Sequence, residues 1–115
     1  MGRWAAFSPD GRRLASADDD RKVRLYDLRT GALERELVEH QKPVTRVAFS
    51  PDGTLLASGA RDGAVDLWEM PSGQLVASFL GPPGDVTGLV FTGDSSTIVA
   101  SGESGFLGAW SVRPR

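Results

Sequence analysis

The chain has 115 residues, with 13 basic and 15 acidic side chains, a net charge of -2 and a hydrophobic fraction of 40%. This balance fits one globular domain with one core, and argues against a disordered chain or a general phosphate-binding surface. There is no cysteine and a single histidine, His40, which excludes disulfides, thiol catalysis, thiolate metal sites and multi-histidine metal sites.

From the N-terminus, a first strand is expected from Trp4 into the turn Phe7-Ser8-Pro9-Asp10-Gly11. Leu14-Ala15-Ser16 marks a second strand and Leu25-Tyr26-Asp27 a third. Ala32 to Lys42 has no glycine or proline and is rich in Ala, Leu and Glu, so propensity alone favours a helix there. Leu33 and Leu37, however, align with Leu75 and Phe79 of a glycine-bounded, alternating run. Leu33 to Val38 is therefore expected as an outer strand, with Glu34 and Glu36 in solvent. Val44–Phe49, Thr54–Ser58, Ala64–Trp68 and Gln74–Leu80 follow as four strands. Between them stand Pro51-Asp52-Gly53, Asp62-Gly63 and Pro71-Ser72-Gly73. Proline presets φ and glycine accepts φ > 0, so each of these is a turn with a mechanism. Phe91-Thr92-Gly93-Asp94-Ser95, Val99-Ala100-Ser101 and Ala109-Trp110-Ser111 mark the remainder, giving eleven strands in all.

These motifs share one period. Phe7-Ser8-Pro9-Asp10-Gly11 returns as Phe49-Ser50-Pro51-Asp52-Gly53 and again as Phe91-Thr92-Gly93-Asp94-Ser95, at a spacing of 42. Leu14-Ala15-Ser16 returns as Leu56-Ala57-Ser58, then as Val99-Ala100-Ser101 with one residue inserted. Leu25-Tyr26-Asp27 becomes Leu67-Trp68-Glu69 and Ala109-Trp110-Ser111. Four short strands per period, with no long crossover, form an antiparallel meander.

On these residues the chain resembles the WD-repeat β-propeller family, from about Trp4 to Val112. The resemblance implies an all-β fold of four-stranded antiparallel blades in an incomplete, open propeller segment. Within one segment spanning 1–115, the blades fall at approximately 3–38, 44–80 and 86–112. The last of them lacks its outer strand. The family's structural hydrogen-bond network maps onto His40, Ser58, Asp62 and Trp68. A buried indole N–H needs an acceptor, which the Ser58 hydroxyl can supply. That hydroxyl can pair with His40, and Asp62 can hold the other side of the imidazole. In the first unit Ser16, Asp20 and Tyr26 match this pattern. In the third Ser101 and Trp110 match, while Pro82 and Ser104 replace the histidine and the aspartate.

No catalytic residue, metal site or cofactor is expected. His40, Ser58 and Asp62 are the residue types of a hydrolytic triad, but Ser58 sits mid-strand without a G-x-S-x-G elbow. Asp18-Asp19-Asp20 lacks the spacing of a calcium loop, so Asp18 and Asp19 are expected as solvated turn residues. Gly102, Gly105 and Gly108 precede no helix that could hold phosphate. Arg12-Arg13 and Arg21-Lys22 have acidic neighbours, which makes nucleic acid a poor fit.

No apolar run approaches the roughly 18 residues of a membrane span, and residues 1–10 lack the apolar stretch of a signal peptide. A cytoplasmic protein with no membrane partner is expected. The resemblance implies a non-catalytic scaffold that binds a protein or peptide. The alternative is the regulatory propeller portion of a multidomain enzyme whose catalytic part lies outside this chain. The implied partner surface is a narrow face, where the loop before each inner strand meets the turn between second and third strands. Its residues are Arg3, Asp19, Pro43, Thr45, Arg61, Asp85, Thr87 and Glu103. Eleven strands fall short of the roughly sixteen in the smallest closed propellers. The chain is thus expected to be a piece of a longer propeller, or a homo-oligomer whose copies complete a ring.

Overall fold

The computed structural model describes residues 4–70, 72–81, 84–103, 105 and 107–112. They form eleven strands: β1 (Trp4–Phe7), β2 (Arg13–Ala17), β3 (Lys22–Asp27), β4 (Leu33–Val38), β5 (Val44–Phe49), β6 (Leu55–Ala60), β7 (Ala64–Glu69), β8 (Gln74–Leu80), β9 (Val86–Phe91), β10 (Thr97–Gly102) and β11 (Leu107–Ser111). No helix occurs among the described residues. The strands make three antiparallel meanders, β1-β2-β3-β4, β5-β6-β7-β8 and β9-β10-β11. They are referred to below as the first, second and third blades. The first strands of the three blades, β1, β5 and β9, lie side by side.

One repeated turn closes the first hairpin of every blade, and its chemistry goes beyond proline and glycine. Ser8 Oγ donates to Asp10 Oδ1 at 2.6 Å, Ser50 Oγ to Asp52 Oδ1 at 2.7 Å, and Thr92 Oγ1 to Asp94 Oδ1 at 2.7 Å. Each carboxylate also accepts a backbone N–H, from Arg12, Thr54 and Ser96. Each hydroxyl accepts another, from Arg13, Leu55 and Thr97. The side chains thus satisfy backbone donors that the turn would otherwise leave unpaired. Hydrogen bonds from Ser96 and Thr92 hold the Asp94 carboxyl down to about 2.

The strand alternation sends the two faces of each blade to different neighbours. Ala15, Ala17, Val23 and Leu25 of the first blade pack against Val44, Val47, Leu56 and Trp68 of the second. Ala57, Val65 and Leu67, on the other face of the second blade, pack against Val86, Leu89, Ile98 and Ala100 of the third. The core therefore consists of two layers between three blades. The run at Leu33–Val38 is a strand: Leu37 is buried in the first layer, and the sheet pairing overrides the local helix propensity.

Two expectations are corrected. The sequence alignment inserts one residue before Val99 and puts Ser101 in register with Ser58. The pairing has no such insertion: Ile98 lies opposite Phe91 and Trp110, as Leu56 lies opposite Phe49 and Trp68. Ala100 therefore occupies the place of Ser58, and Ser101 belongs to the opposite face. A one-residue slip in a strand exchanges faces. Asp18 is the second case. Expected in solvent, it is 3% exposed, and its carboxylate receives the Arg24 guanidinium. A carboxylate that deep in the turn needs a charged partner. Glu34 and Glu36 lie in exposed positions, as expected, and pair with Arg13 and Arg24 across the sheet.

Candidate functional site

Two polar arrangements stand out, one sealed between blades and one open. In the sealed one, Trp68 Nε1 donates to Ser58 Oγ at 2.9 Å, and His40 Nε2 lies 2.7 Å from the same oxygen. β6 and β7 pair so that Ser58 faces Asp66 and Leu56 faces Trp68, all on the side turned to the first blade. His40 reaches in from the loop before β5. The expected contact between Asp62 and the far side of the imidazole is not formed. Asp62 Oδ1 instead accepts the Ala64 N–H at 3.1 Å and caps the tight turn. His40 Nδ1 has no hydrogen-bond partner among the described residues.

Asp66, rather than Asp62, is the carboxylate beside the imidazole, and it lies on the Nε2 side that Ser58 also occupies. Its Oδ2 lies 3.6 Å from His40 Nε2, and its Oδ1 accepts the Ser78 hydroxyl at 2.7 Å. A lone pair on Nε2 would face that carboxylate, so we assign the proton to Nε2. Burial lowers the His40 pKa below the ordinary value, against the opposing pull of Asp66, Asp62 and Glu39. Strand alternation was the available signal for Asp66. It stands two residues before Trp68, hence on the same face, between Val65 and Leu67. Ser58 is 0% exposed and already accepts the indole N–H, so its oxygen has no approach for a substrate.

The open arrangement is a groove of about 280 Å³ lined by Trp4, Asp19, Val44, Thr45, Arg46, Arg61, Asp85, Val86 and Thr87. Five of the expected narrow-face residues, Asp19, Thr45, Arg61, Asp85 and Thr87, meet there. Two more are tied to its rim. The Arg61 N–H donates to Pro43 O at 3.1 Å, and the Glu103 N–H donates to Asp85 O at 2.9 Å, the same bond 42 residues later. Arg3 lies outside the described residues, as do Pro82 and Ser104.

A repeated irregularity builds this groove. In the second blade Val44 pairs with Ala60 and Arg46 with Gly59, leaving Thr45 as an extra residue. In the third, Val86 pairs with Gly102 and Gly88 with Ser101, leaving Thr87 in the same position. Such bulges re-aim a side chain. Thr45 Oγ1 turns to donate to Val86 O at 2.6 Å and so joins the second blade to the third. Arg46, which the sequence reading did not single out, spans all three blades. Its Nε donates to Thr87 O at 2.9 Å, and its guanidinium lies 4.2 Å from the Trp4 ring centre. Three of the groove's charged residues, Asp19, Asp85 and Arg61, are thus carried on a frame fixed by Thr45 and by the fourth, Arg46.

The WD domain, G-beta repeat family matches residues 3–27, 31–69 and 73–111. The chain belongs to the WD-repeat family. The chain is also similar to a WD repeat-containing protein, SL1-17, of Schistosoma mansoni, with 55% identity over 31 residues. That match covers 27% of this chain and 10% of the relative's length. Domains of WD repeats are in general protein-interaction scaffolds.

Proposed function

We propose that this WD-repeat chain is a non-catalytic scaffold that binds a polar peptide segment of a protein partner in the narrow-face groove, as part of a larger propeller. The supporting observation is the convergence of Asp19, Arg61 and Asp85 on one concavity whose walls come from three blades. Two carboxylates and two guanidiniums side by side, Arg46 with Arg61, suit a peptide of mixed charge better than a phosphate backbone. Trp4 adds an apolar wall, and the carbonyls at the rim are held in place by Arg46. The test is selection from a displayed random-peptide library on the full chain, followed by titration of the selected peptides. Arg61→Glu combined with Asp85→Lys should weaken them at least tenfold and shift the preferred charge pattern. Unchanged affinity in that variant would place binding elsewhere.

A further inference from the structure

The two internal junctions show what a blade face of this protein packs against. Position by position, Val23 and Leu25 of the first blade correspond to Val65 and Leu67 of the second and to Leu107 and Ala109 of the third. Val23 and Val65 are both 0% exposed, sealed by the following blade. Leu107 is 71% exposed and Val90, on the same face, 57%. The third blade thus presents an apolar face of the kind that is covered twice within the same chain.

The complementary half is also present. Val47, Phe49, Leu56 and Trp68 form the receiving face of the second blade, and Leu89, Phe91, Ile98 and Trp110 that of the third. The same register positions on the first blade hold Ala5, Phe7, Leu14 and Tyr26. Phe49 and Phe91 are packed into the layers, whereas Phe7 is 68% exposed. Arg24 lies on this open face, in the position that holds the buried Asp66 in the second blade, and its charge is already met by Asp18, Asp20 and Glu36. Covering the face therefore leaves the Arg24 cation paired.

The described residues therefore carry both halves of a third junction, on the outward faces of the first and third blades, which three blades alone do not bring together. We propose that two copies of this chain close head to tail, the third blade of each against the first blade of the other. The product is a ring of six blades, within the usual range of about four to eight. The proposal rests on the reading of the chain as part of a larger propeller, but its readout, mass, is independent of peptide binding.

Light scattering after size exclusion of the full chain at tens of micromolar should give twice 12.3 kDa. Phe7→Asp and Leu107→Asp each spoil one half of the junction, so either variant alone should run as a monomer. Mixed in equal amounts they should recover a two-chain species, because the intact third blade of one meets the intact first blade of the other. That recovery also certifies that both variants fold. Should either fail to show a β-sheet far-ultraviolet spectrum, Ala5→Lys and Val90→Lys, at exposed positions on the same two faces, replace the pair. A monomeric wild type, or folded variants that do not recover on mixing, would overturn the proposal. So would a dimer lost in Leu107→Asp but kept in Phe7→Asp, which would mean a symmetric contact between third blades. A species larger than two copies would overturn the two-chain ring.

Discussion

The first and second blades have the same strand order and the same register, yet they fill corresponding positions with different chemistry, one face sealed by a neighbouring blade and the other open. In the second, a neutral imidazole and an indole share the Ser58 hydroxyl in a site sealed by the first blade. In the first, Ser16 stands where Ser58 does, but Arg24 replaces Asp66 and Tyr26 replaces Trp68. There an ion network takes over, with Arg24 held by Asp18, by both oxygens of Asp20, and by Glu36 at 3.1 Å. The Arg24 pKa is raised by its bonds to Asp20 and Asp18. The third blade holds Ala100 and Gly108 at the same positions, so the fold does not require polar groups there. The comparison teaches that where they occur they must be satisfied, by whatever composition the blade supplies.

The largest effect is expected from the sealed cluster. His40→Ala leaves the Ser58 hydroxyl short of a partner in a buried site, which should cost about 1–3 kcal/mol in a denaturant titration. pH sharpens the contrast. The native His40 pKa lies below the ordinary 6.5, so below pH 6.5 the unfolded chain binds the proton first. Stability contributed by neutral His40 is complete above pH 6.5 and declines as pH falls toward the lower native value. His40→Gln should flatten the stability profile in that window. A profile that keeps its slope would mean that His40 is solvated.

The ion cluster should give a smaller loss. Removing one member of a fully buried pair costs about 3–5 kcal/mol, but the Arg24 side chain keeps 20% of its exposure, so Arg24→Met should cost about 1–2 kcal/mol. Asp18 is then a buried carboxylate without its arginine. Adding Asp18→Asn should therefore recover part of the loss, a coupling that a double-mutant cycle of unfolding free energies measures. Strict additivity would reduce the network to a surface decoration.

Much of this was legible in the sequence because it repeats. The spacing of 42 located all eleven strands and overrode the helical propensity of Leu33–Val38. Where the repeat degenerates, side-chain facing was lost. Val99-Ala100-Ser101 resembles Leu56-Ala57-Ser58, but the likeness is one residue out of register, and only strand pairing reveals which face Ser101 takes. Asp66 and Arg24 were missed for a related reason. They occupy one register position with opposite charges, so similarity between repeats could not flag them, although alternation places both beside the network. The groove was readable as a set of positions, whereas the bulges that swing Thr45 and Thr87 into it leave no mark on the spacing.

The smallest effect expected separates the blades at a turn. The residue closing the hairpin between second and third strands has positive φ in every blade: 74° at Arg21, 84° at Gly63 and 87° at Gly105. The two glycines adopt this conformation without a Cβ penalty, whereas Arg21 pays the steric cost of the left-handed region, about 1–2 kcal/mol for an ordinary residue. Arg21 is exposed, and its backbone N–H donates to Asp18 O at 3.3 Å, a bond that glycine keeps. Arg21→Gly relieves the strain but gives the unfolded chain more freedom, which returns about 0.4–1 kcal/mol. The net expectation is a gain of about 0.5 kcal/mol in urea unfolding. Gly63→Ala, the reverse exchange in the second blade, should lose about 1 kcal/mol, because there the strain is added to a turn whose N–H and C=O are both engaged, with Ala60 O and the Gly81 N–H. Opposite signs would tie the difference to backbone conformation. A loss in both would show that the Arg21 side chain contributes to the neighbouring ion cluster more than its φ costs.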